Sequence, residues 1–367
     1  MAATHPRTFT DRTDLTGEPD ADPRRTGVGR AHGKAILLGE HAVVYGAPAL
    51  AIPVPQLTVT ANATRRQGSG DNAGQVTFAL AGPGSTSEIP PSSSGLQSLV
   101  AEFKEWAGIG DGLCADVVID CAIPQGRGLG SSAACARAAV LALADLLGRH
   151  LDARAAFDLV QASERVTHGR ASGIDALATG ATSPLLFRSG TAQDLPLPMP
   201  VDGSSHTRER TVGRAGIGRP PGSGGLFVIA DSGVSSGTRV AVELLRSRFE
   251  REPETREAFV GQVSDLTDAA VRDLARGRWS DFGARMTENH RLLREIGIST
   301  DRIDVLVEAA LAAGSLGAKI SGGGLGGCVI ALVGEPGQAE AVVSGLRQAG
   351  AVGTWIVPAG RYAHHAD

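Results

Sequence analysis

The sequence predicts an α+β protein of two domains rather than a doubly wound α/β sheet. Three observations carry this. The 367 residues are enough for two cores. An apolar strand near Val117 feeds a glycine-rich loop that opens directly into an Ala/Leu-rich helix. The C-terminal part reads strand, helices, strand, strand, helix, strand, an order that suits a sandwich with helices on one face of a sheet.

The elements follow along the chain. Residues 1–26 are rich in Thr, Asp, Arg and Pro, lack hydrophobic periodicity, and read as a disordered tail, with order starting near Arg30. Ala35–Leu38 is a short apolar run ending at Gly39, as a buried strand would. Ala42–Tyr45 is followed by Gly46 and Pro48, and Leu57–Ala63 alternates as a strand does. Residues 66–74 and 82–94 are rich in Gly, Ser and Pro and read as loops. Val117–Asp120 is the strand before the glycine loop. The helix from Ser131 to Leu151 is apolar nearly all round, which places it in a core. Asp152 caps a second helix running to about His168.

The first domain is therefore expected over residues 27–190, a polar connecting loop over 191–225, and the second domain over 226–367. In the latter, Leu226–Ala230 is a strand, residues 238–295 are helical, and Asp301–Ala313 is an amphipathic helix. Ala318–Ser321 and Cys328–Val333 are strands, Gln338–Gln348 is a helix, and Thr354–Val357 is the last strand. No internal repeat is visible.

Composition narrows the function classes. A net charge of −4 provides no basic field for nucleic acid or an anionic membrane. Aromatic residues at 4% argue against stacking platforms for single strands. The four cysteines form no CxxC pair and no zinc spacing, and read as free, mostly buried thiols, although an even count would also allow two disulfides. No run approaches the length of a membrane span. Arg24-Arg25 leads into Gly27-Val28-Gly29-Arg30 rather than an apolar stretch, so no secretory signal is read and a cytoplasmic location is expected.

The most informative segment is Pro124-Gln-Gly126-Arg127-Gly128-Leu129-Gly130-Ser131-Ser132-Ala133-Ala134. Its glycines let successive backbone N–H groups wrap an anion at the positive end of the following helix, and Ser131 and Ser132 add hydroxyls there. It is not a Walker A loop: around Gly33-Lys34 the first glycine position is Val28 and the hydroxyl position is Ala35. Gly322, Gly324 and Gly327 match the dinucleotide G-x-G-x-x-G, but a β-branched strand follows instead of a helix.

Three further segments combine with this loop. They are Lys34 with Gly39-Glu40-His41-Ala42-Val43-Val44-Tyr45-Gly46, then Glu164 to Asp175, then Lys319-Ile-Ser-Gly-Gly-Gly-Leu-Gly-Gly-Cys328. Together they resemble the GHMP kinase superfamily over about residues 27–358. Within it, the Gly39–Ala49 and His168-Gly-x-x-Ser172-Gly-x-Asp175 segments are most similar to the mevalonate kinase branch. The resemblance implies an α+β fold with an N-terminal ribosomal-protein-S5-like nucleotide-binding domain and a C-terminal ferredoxin-like α/β sandwich. It implies transfer of the γ-phosphoryl of ATP, with Mg²⁺, to the primary hydroxyl of mevalonate.

Residue by residue, the resemblance makes Asp175 the catalytic aspartate and Lys34 the lysine beside it. Pro124, Gly126–Ser132 and Ala133 bind nucleotide, and Ser132 with Glu164 holds Mg²⁺. Lys34, Glu40, His41, Asp175 and Thr238 contact substrate. Each role suits phosphoryl transfer, which needs phosphate charge neutralised, a metal held by hard oxygens, and an oriented hydroxyl. Glu164 and His168 also sit at i and i+4, the spacing of an ordinary helix pair. The fourth segment is expected to support the glycine loop and close the site.

Two departures stand out. Gly237 replaces a Ser of the family's Ser-Thr pair, and Arg170-Ala171 stands where many relatives have Asn-Pro. Other GHMP kinases, acting on phosphomevalonate, homoserine or a sugar, remain open, as does a non-catalytic ligand-binding member. A phosphorylated substrate would call for cations beyond Arg170 and Arg239. ATP and mevalonate are the expected partners, without nucleic acid or membrane, and a homodimer stays open.

Overall fold

The first sheet is organised by two long strands, β1 (Thr26–Leu38) and β2 (Ala49–Arg65), paired antiparallel. This is a computed structural model that describes residues 26–66, 74–82, 85–89, 94–169, 171–188, 190–195 and 225–359. Almost all of the expected tail, most of the 66–74 loop, Arg170 and residues 196–224 lie outside the described residues. Both strands are longer than the sequence reading. Glycine and polar residues at 27–34 hide β1, and prolines at 53 and 55 interrupt the apparent pattern of β2. The register slips between His32 and Gly33, from Thr58 to Val54, leaving Pro55 in a bulge where its missing N–H costs no ladder bond.

The remaining strands of this sheet are β3 (Val76–Gly82), β4 (Ser85–Glu88), β5 (Ala115–Cys121), β6 (Leu185–Arg188) and β7 (Thr191–Asp194). Their order is β4-β3-β5-β2-β6-β7, with β1 on β2, and only β3–β5 among the pairings is parallel. The 82–94 segment is thus not all loop: it holds β4, and α1 (Ser94–Ala107) begins at its end. Likewise the first residues of the expected connecting loop pair with β6 as β7, turning at Gly190.

α2 (Ser131–Leu146) lies against β1, and the reason is steric. A Cβ at Gly27 would stand 2.1 Å from the Ala142 carbonyl, and one at Gly29 would stand 2.0 Å from that of Ala138. Glycines on the strand and alanines on the helix therefore permit an approach that larger side chains forbid. α2 stops at Leu146 rather than Leu151, because Gly148 takes a left-handed φ of 65° just past its end. α3 (Ala153–His168) begins where expected, with the Asp152 carboxylate accepting the Ala155 N–H at 2.7 Å, and the short α4 (Ile174–Ala178) follows.

The second sheet contains β8 (Leu226–Asp231), β9 (Gly317–Ser321), β10 (Cys328–Val333) and β11 (Gly353–Pro358), all antiparallel in the order β11-β8-β10-β9. Five helices accompany it: α5 (Thr238–Arg251), α6 (Pro253–Ala275), α7 (Trp279–Glu295), α8 (Asp301–Ala312) and α9 (Pro336–Gln348). Val228, Ala230, Val329 and Ala331 pack with Leu306, Val342 and Leu346 of α8 and α9. The alternate residues Phe227, Ile229, Ile330 and Leu332 join Trp279, Phe282 and the core of the first sheet. The opposite face is therefore buried too, which is why β10 reads as an unbroken apolar run. Among the described residues no helix is long and apolar enough to cross a membrane.

Candidate active site

The turn between β1 and β2 and the glycine loop before α2 meet the second sheet at one cleft, of about 1050 Å³ including its mouth. Its walls include Lys34, Glu40, His41, Ser132, Glu164 and Asp175. Four sequence-distant segments thus converge, as expected.

Gly126, Gly128 and Gly130 all adopt positive φ, between 66° and 77°, which allows the loop to curl back over the start of α2. The Ncap residue Gly130 contributes no side-chain cap, so the first N–H groups of α2 are left for an anion. The loop is braced from both sides. The Lys34 N–H donates to the Leu129 carbonyl at 3.0 Å, and the Ser236 N–H to the Gly126 carbonyl at 2.6 Å. Gly128 and Gly322 meet backbone to backbone: a Cβ on Gly322 would lie 2.7 Å from the Gly128 Cα. The glycines that mimic a dinucleotide motif are therefore the seat of the glycine-rich loop before α2, in the turn joining β9 and β10.

Gly126, Gly128, Gly130, Ser131 and Ser132 line the cleft, whereas Pro124, Arg127, Leu129 and Ala133 do not. Arg127 turns away toward the second sheet. Its Nε bonds Asp231 at 3.0 Å, Nη1 donates to Ser235 Oγ at 3.0 Å and Nη2 to the Gly233 carbonyl at 3.1 Å. Its side chain ties the loop to the C-terminal half rather than reaching into the cleft.

Lys34 is almost wholly buried, and its Nζ lies 3.1 Å from Asp175 Oδ1 and 3.1 Å from the Gly128 carbonyl it donates to. Asp175 sits in the first turn of α4, one-third exposed toward the cleft. On the other wall Ser132 Oγ donates to Glu164 Oε1 at 2.6 Å, and His168 Nε2 lies 3.6 Å from Glu164 Oε2. Burial and then the Asp175 charge push the Glu164 carboxyl upward, against Ser132, His168 and Lys34. A buried carboxylate so poorly compensated, beside a hydroxyl and an uncapped helix start, fits a hard divalent cation completed by oxygens of a ligand and water.

Glu40 and His41 occupy the turn after β1. His41, which lines the cleft, takes φ 61°, rare for a residue with a Cβ. Burial, then the Lys319 ammonium, lower its pKa to about 4, so it is neutral. Glu40 Oε1 pairs with Lys319 Nζ inside the protein, while Glu40 Oε2 and His41 Nε2 are buried without a hydrogen-bond partner. Thr238, at the start of α5, also lines the cleft and bonds Ser236 Oγ at 3.1 Å.

Two contributors escape a sequence reading. Lys319 marks the start of the fourth segment and carries no role there, yet it is a fully buried cation under the cleft. The one available signal was a lysine between Ala318 and Ile320 in an apolar strand. Gln161 donates to the Ala171 carbonyl at 2.7 Å and leaves Oε1 unpartnered at the cleft wall. Nothing in the periodicity of α3 separates it from a solvated glutamine.

Comparison with known proteins agrees with this architecture. The family description "GHMP kinases N terminal domain" matches residues 96–181, and "GHMP kinases C terminal" matches residues 270–352. A mevalonate kinase from Methanothermobacter thermautotrophicus is 32% identical over 319 residues, covering 87% of this chain and 93% of that protein. The crystal structure of L. major mevalonate kinase in complex with R-mevalonate overlays with a TM-score of 0.71 at 22% identity, covering 94% of this chain and 100% of that one. A Streptococcus pneumoniae phosphomevalonate kinase overlays with a TM-score of 0.70 at 16% identity, covering 90% and 99%. The fold alone therefore leaves the acceptor undecided, but both halves of the family are matched in chain order around one glycine-loop cleft. The chain belongs to the GHMP kinases, and it is an ATP-dependent kinase that phosphorylates a hydroxyl group.

Proposed function

We propose that the chain transfers the γ-phosphoryl group of ATP to the primary hydroxyl of (R)-mevalonate, giving 5-phosphomevalonate. The observation that carries the chemistry is the Lys34–Asp175 pair at 3.1 Å, facing the Ser132–Glu164 pair across the phosphate-loop cleft. The named relative supports the choice of acceptor.

In this reading the α2 N-terminus and the loop backbone hold the phosphates. Asp175 orients the attacking hydroxyl and accepts its proton. Lys34 keeps Asp175 ionised and stabilises charge developing on the transferred group. Ser132 and Glu164 hold Mg²⁺, which when bound neutralises phosphate charge. Glu40 Oε2 and His41 Nε2 offer unpartnered polar atoms to the acceptor's hydroxyl and carboxylate groups, and Thr238 adds a hydroxyl from the second half. Ile36, Val43, Val44 and Ile174 give the cleft an apolar wall suited to a branched aliphatic chain.

Among the described lining residues Lys34 is the only Lys or Arg, and it is engaged by Asp175. That favours an acceptor without a phosphate of its own. The test is turnover with MgATP on mevalonate, phosphomevalonate, homoserine and galactose. Mevalonate should be phosphorylated far faster than the other three, and equal or greater turnover on any of them refutes the assignment.

A further inference from the structure

Between Gly126 and Gly130, the stretch that curls over the start of α2, Arg127 is the one polar side chain. Leu129 is apolar and buried, and the three glycines all take positive φ. Glycine has the most conformational freedom to lose, so a loop of this composition does not hold its own shape. Its form depends on what it is fastened to.

The Arg127 guanidinium crosses to the turn between β8 and α5. Nε lies 3.0 Å from Asp231 Oδ1 and 3.1 Å from Oδ2, Nη1 donates to Ser235 Oγ at 3.0 Å, and Nη2 donates to the Gly233 carbonyl at 3.1 Å. The Asp231 side chain is 7% exposed and that of Arg127 19%, so water competes poorly for the pair. The receiving turn is itself fixed. Asp231 Oδ1 accepts the Gly233 N–H at 2.8 Å, the Gly327 N–H donates to the Val234 carbonyl at 2.8 Å, and Arg302 Nε donates to the Ser232 carbonyl at 3.3 Å. A planar fork of donors seated on such a turn sets the orientation of the backbone that carries it.

We propose that Arg127 is a positioning residue for the nucleotide: by clamping the glycine loop to the turn after β8, it holds the loop backbone in the form that binds ATP. This rests on the reading that the loop holds the phosphates of ATP. The Arg127 side chain points out of the cleft and its charge is matched by Asp231, so it acts through backbone geometry and not by neutralising phosphate. Released from its anchor, the loop samples other forms, and the apparent affinity falls by the fraction of time in which the N–H groups still converge. A loop in the competent form about one-tenth of the time binds about 10-fold more weakly.

The experiment measures binding of a non-hydrolysable ATP analogue with Mg²⁺ to the full-length protein by calorimetry, together with KM for ATP and kcat. Arg127→Met should weaken binding about 10-fold or more and raise KM for ATP in step, while kcat falls much less. Arg127→Lys keeps the charge beside Asp231 but loses the fork, so it should lie between Arg127→Met and the parent, and it carries the test should Arg127→Met not fold. Asp231→Ala separates positioning from direct contact. Through positioning it should weaken binding as Arg127→Met does, and the double variant should bind no more weakly than either single one. Tighter binding in Asp231→Ala would mean that a freed Arg127 reaches the phosphates, and overturns the proposal. So does an Arg127→Met protein that loses stability to urea yet binds the analogue within about 2-fold of the parent. Gly128→Val tests the underlying reading separately, because a Cβ there would stand 2.9 Å from the Ser321 carbonyl oxygen and distort the loop directly. If that variant loses the analogue and Arg127→Met does not, the positioning role falls alone. If neither changes binding, the nucleotide reading of the loop falls and the proposal with it.

Discussion

Replacing Lys319 with Met removes one buried charge and little volume, which isolates the electrostatics beneath the cleft. Lys319 is fully buried in β9, and Glu40, its partner from the turn after β1, is 2% exposed. Burial presses the Lys319 pKa down, and the Glu40 carboxylate opposes that shift. In Lys319→Met the Glu40 carboxylate is left without its cation, with Oε2 already unpartnered. Breaking a buried pair by deleting one member costs about 3–5 kcal/mol, whereas neutralising both members together is often close to neutral. With a urea m-value of about 2–3 kcal/mol/M, the unfolding midpoint of Lys319→Met should fall by about 1–2.5 M. The double variant Lys319→Met/Glu40→Gln should recover most of that loss, because neither charge remains to be desolvated. The His41 ring gives a second readout. Its pKa of about 4 owes part of its depression to the Lys319 ammonium, so it should rise in Lys319→Met, as followed by NMR. A single variant within about 0.5 kcal/mol of the parent, or a double variant no more stable than the single, would refute a buried ion pair coupling the two sheets.

Three further outcomes follow from the same geometry. Asp175→Asn keeps the size and most hydrogen bonding but loses charge and basicity; kcat should drop by about 100-fold or more while ATP binding changes little, and near-normal kcat would make Asp175 a turn residue. Glu164→Gln should weaken the Mg²⁺ titration as well as turnover, and an unchanged titration would mean that Glu164 serves only the fold. His290 is buried and neutral: the Ile320 N–H points at its Nδ1 at 3.4 Å, its Nε2 lies 3.1 Å from Asp304, and its pKa is lowered to about 4, chiefly by burial. Between pH 6.5 and 4 the unfolded chain binds a proton that the folded chain refuses. Stability should therefore fall as pH drops through that window, by up to about 3 kcal/mol for this residue. His41 adds the same sign, and Glu164, raised by burial, adds the opposite one. His290→Gln should flatten that decline in urea unfolding measured across pH, and an unaltered slope would disprove the assignment.

What the sequence determined by itself is local and chemical. Asp152 caps α3, and the Ala/Leu composition of α2 marks a helix to be buried. The glycine loop announces its own curl and the uncapped start of α2, because φ above zero and a missing side chain are properties of residue type. The four motif segments also carry the family. Local signals misjudged extents where distant neighbours decide them. β1 and β2 are long because each supplies the other's ladder, across a bulge at Pro55. β4 and β7 are held by single partner strands that no periodicity reveals. α2 ends early because Gly148 turns left-handed.

Only the tertiary structure decided which side chains meet. Lys34 and Asp175 are joined because α4 is delivered beside β1, and Arg127 leaves the cleft because Asp231 waits for it on β8. Lys319 acquires its role from Glu40, far away in the chain, in the turn after β1. A charge in a sequence has no environment: burial, partner and orientation arise where two layers close on each other. The residue types that can do this chemistry are therefore written in the chain, while their pairing is a property of the packed interface.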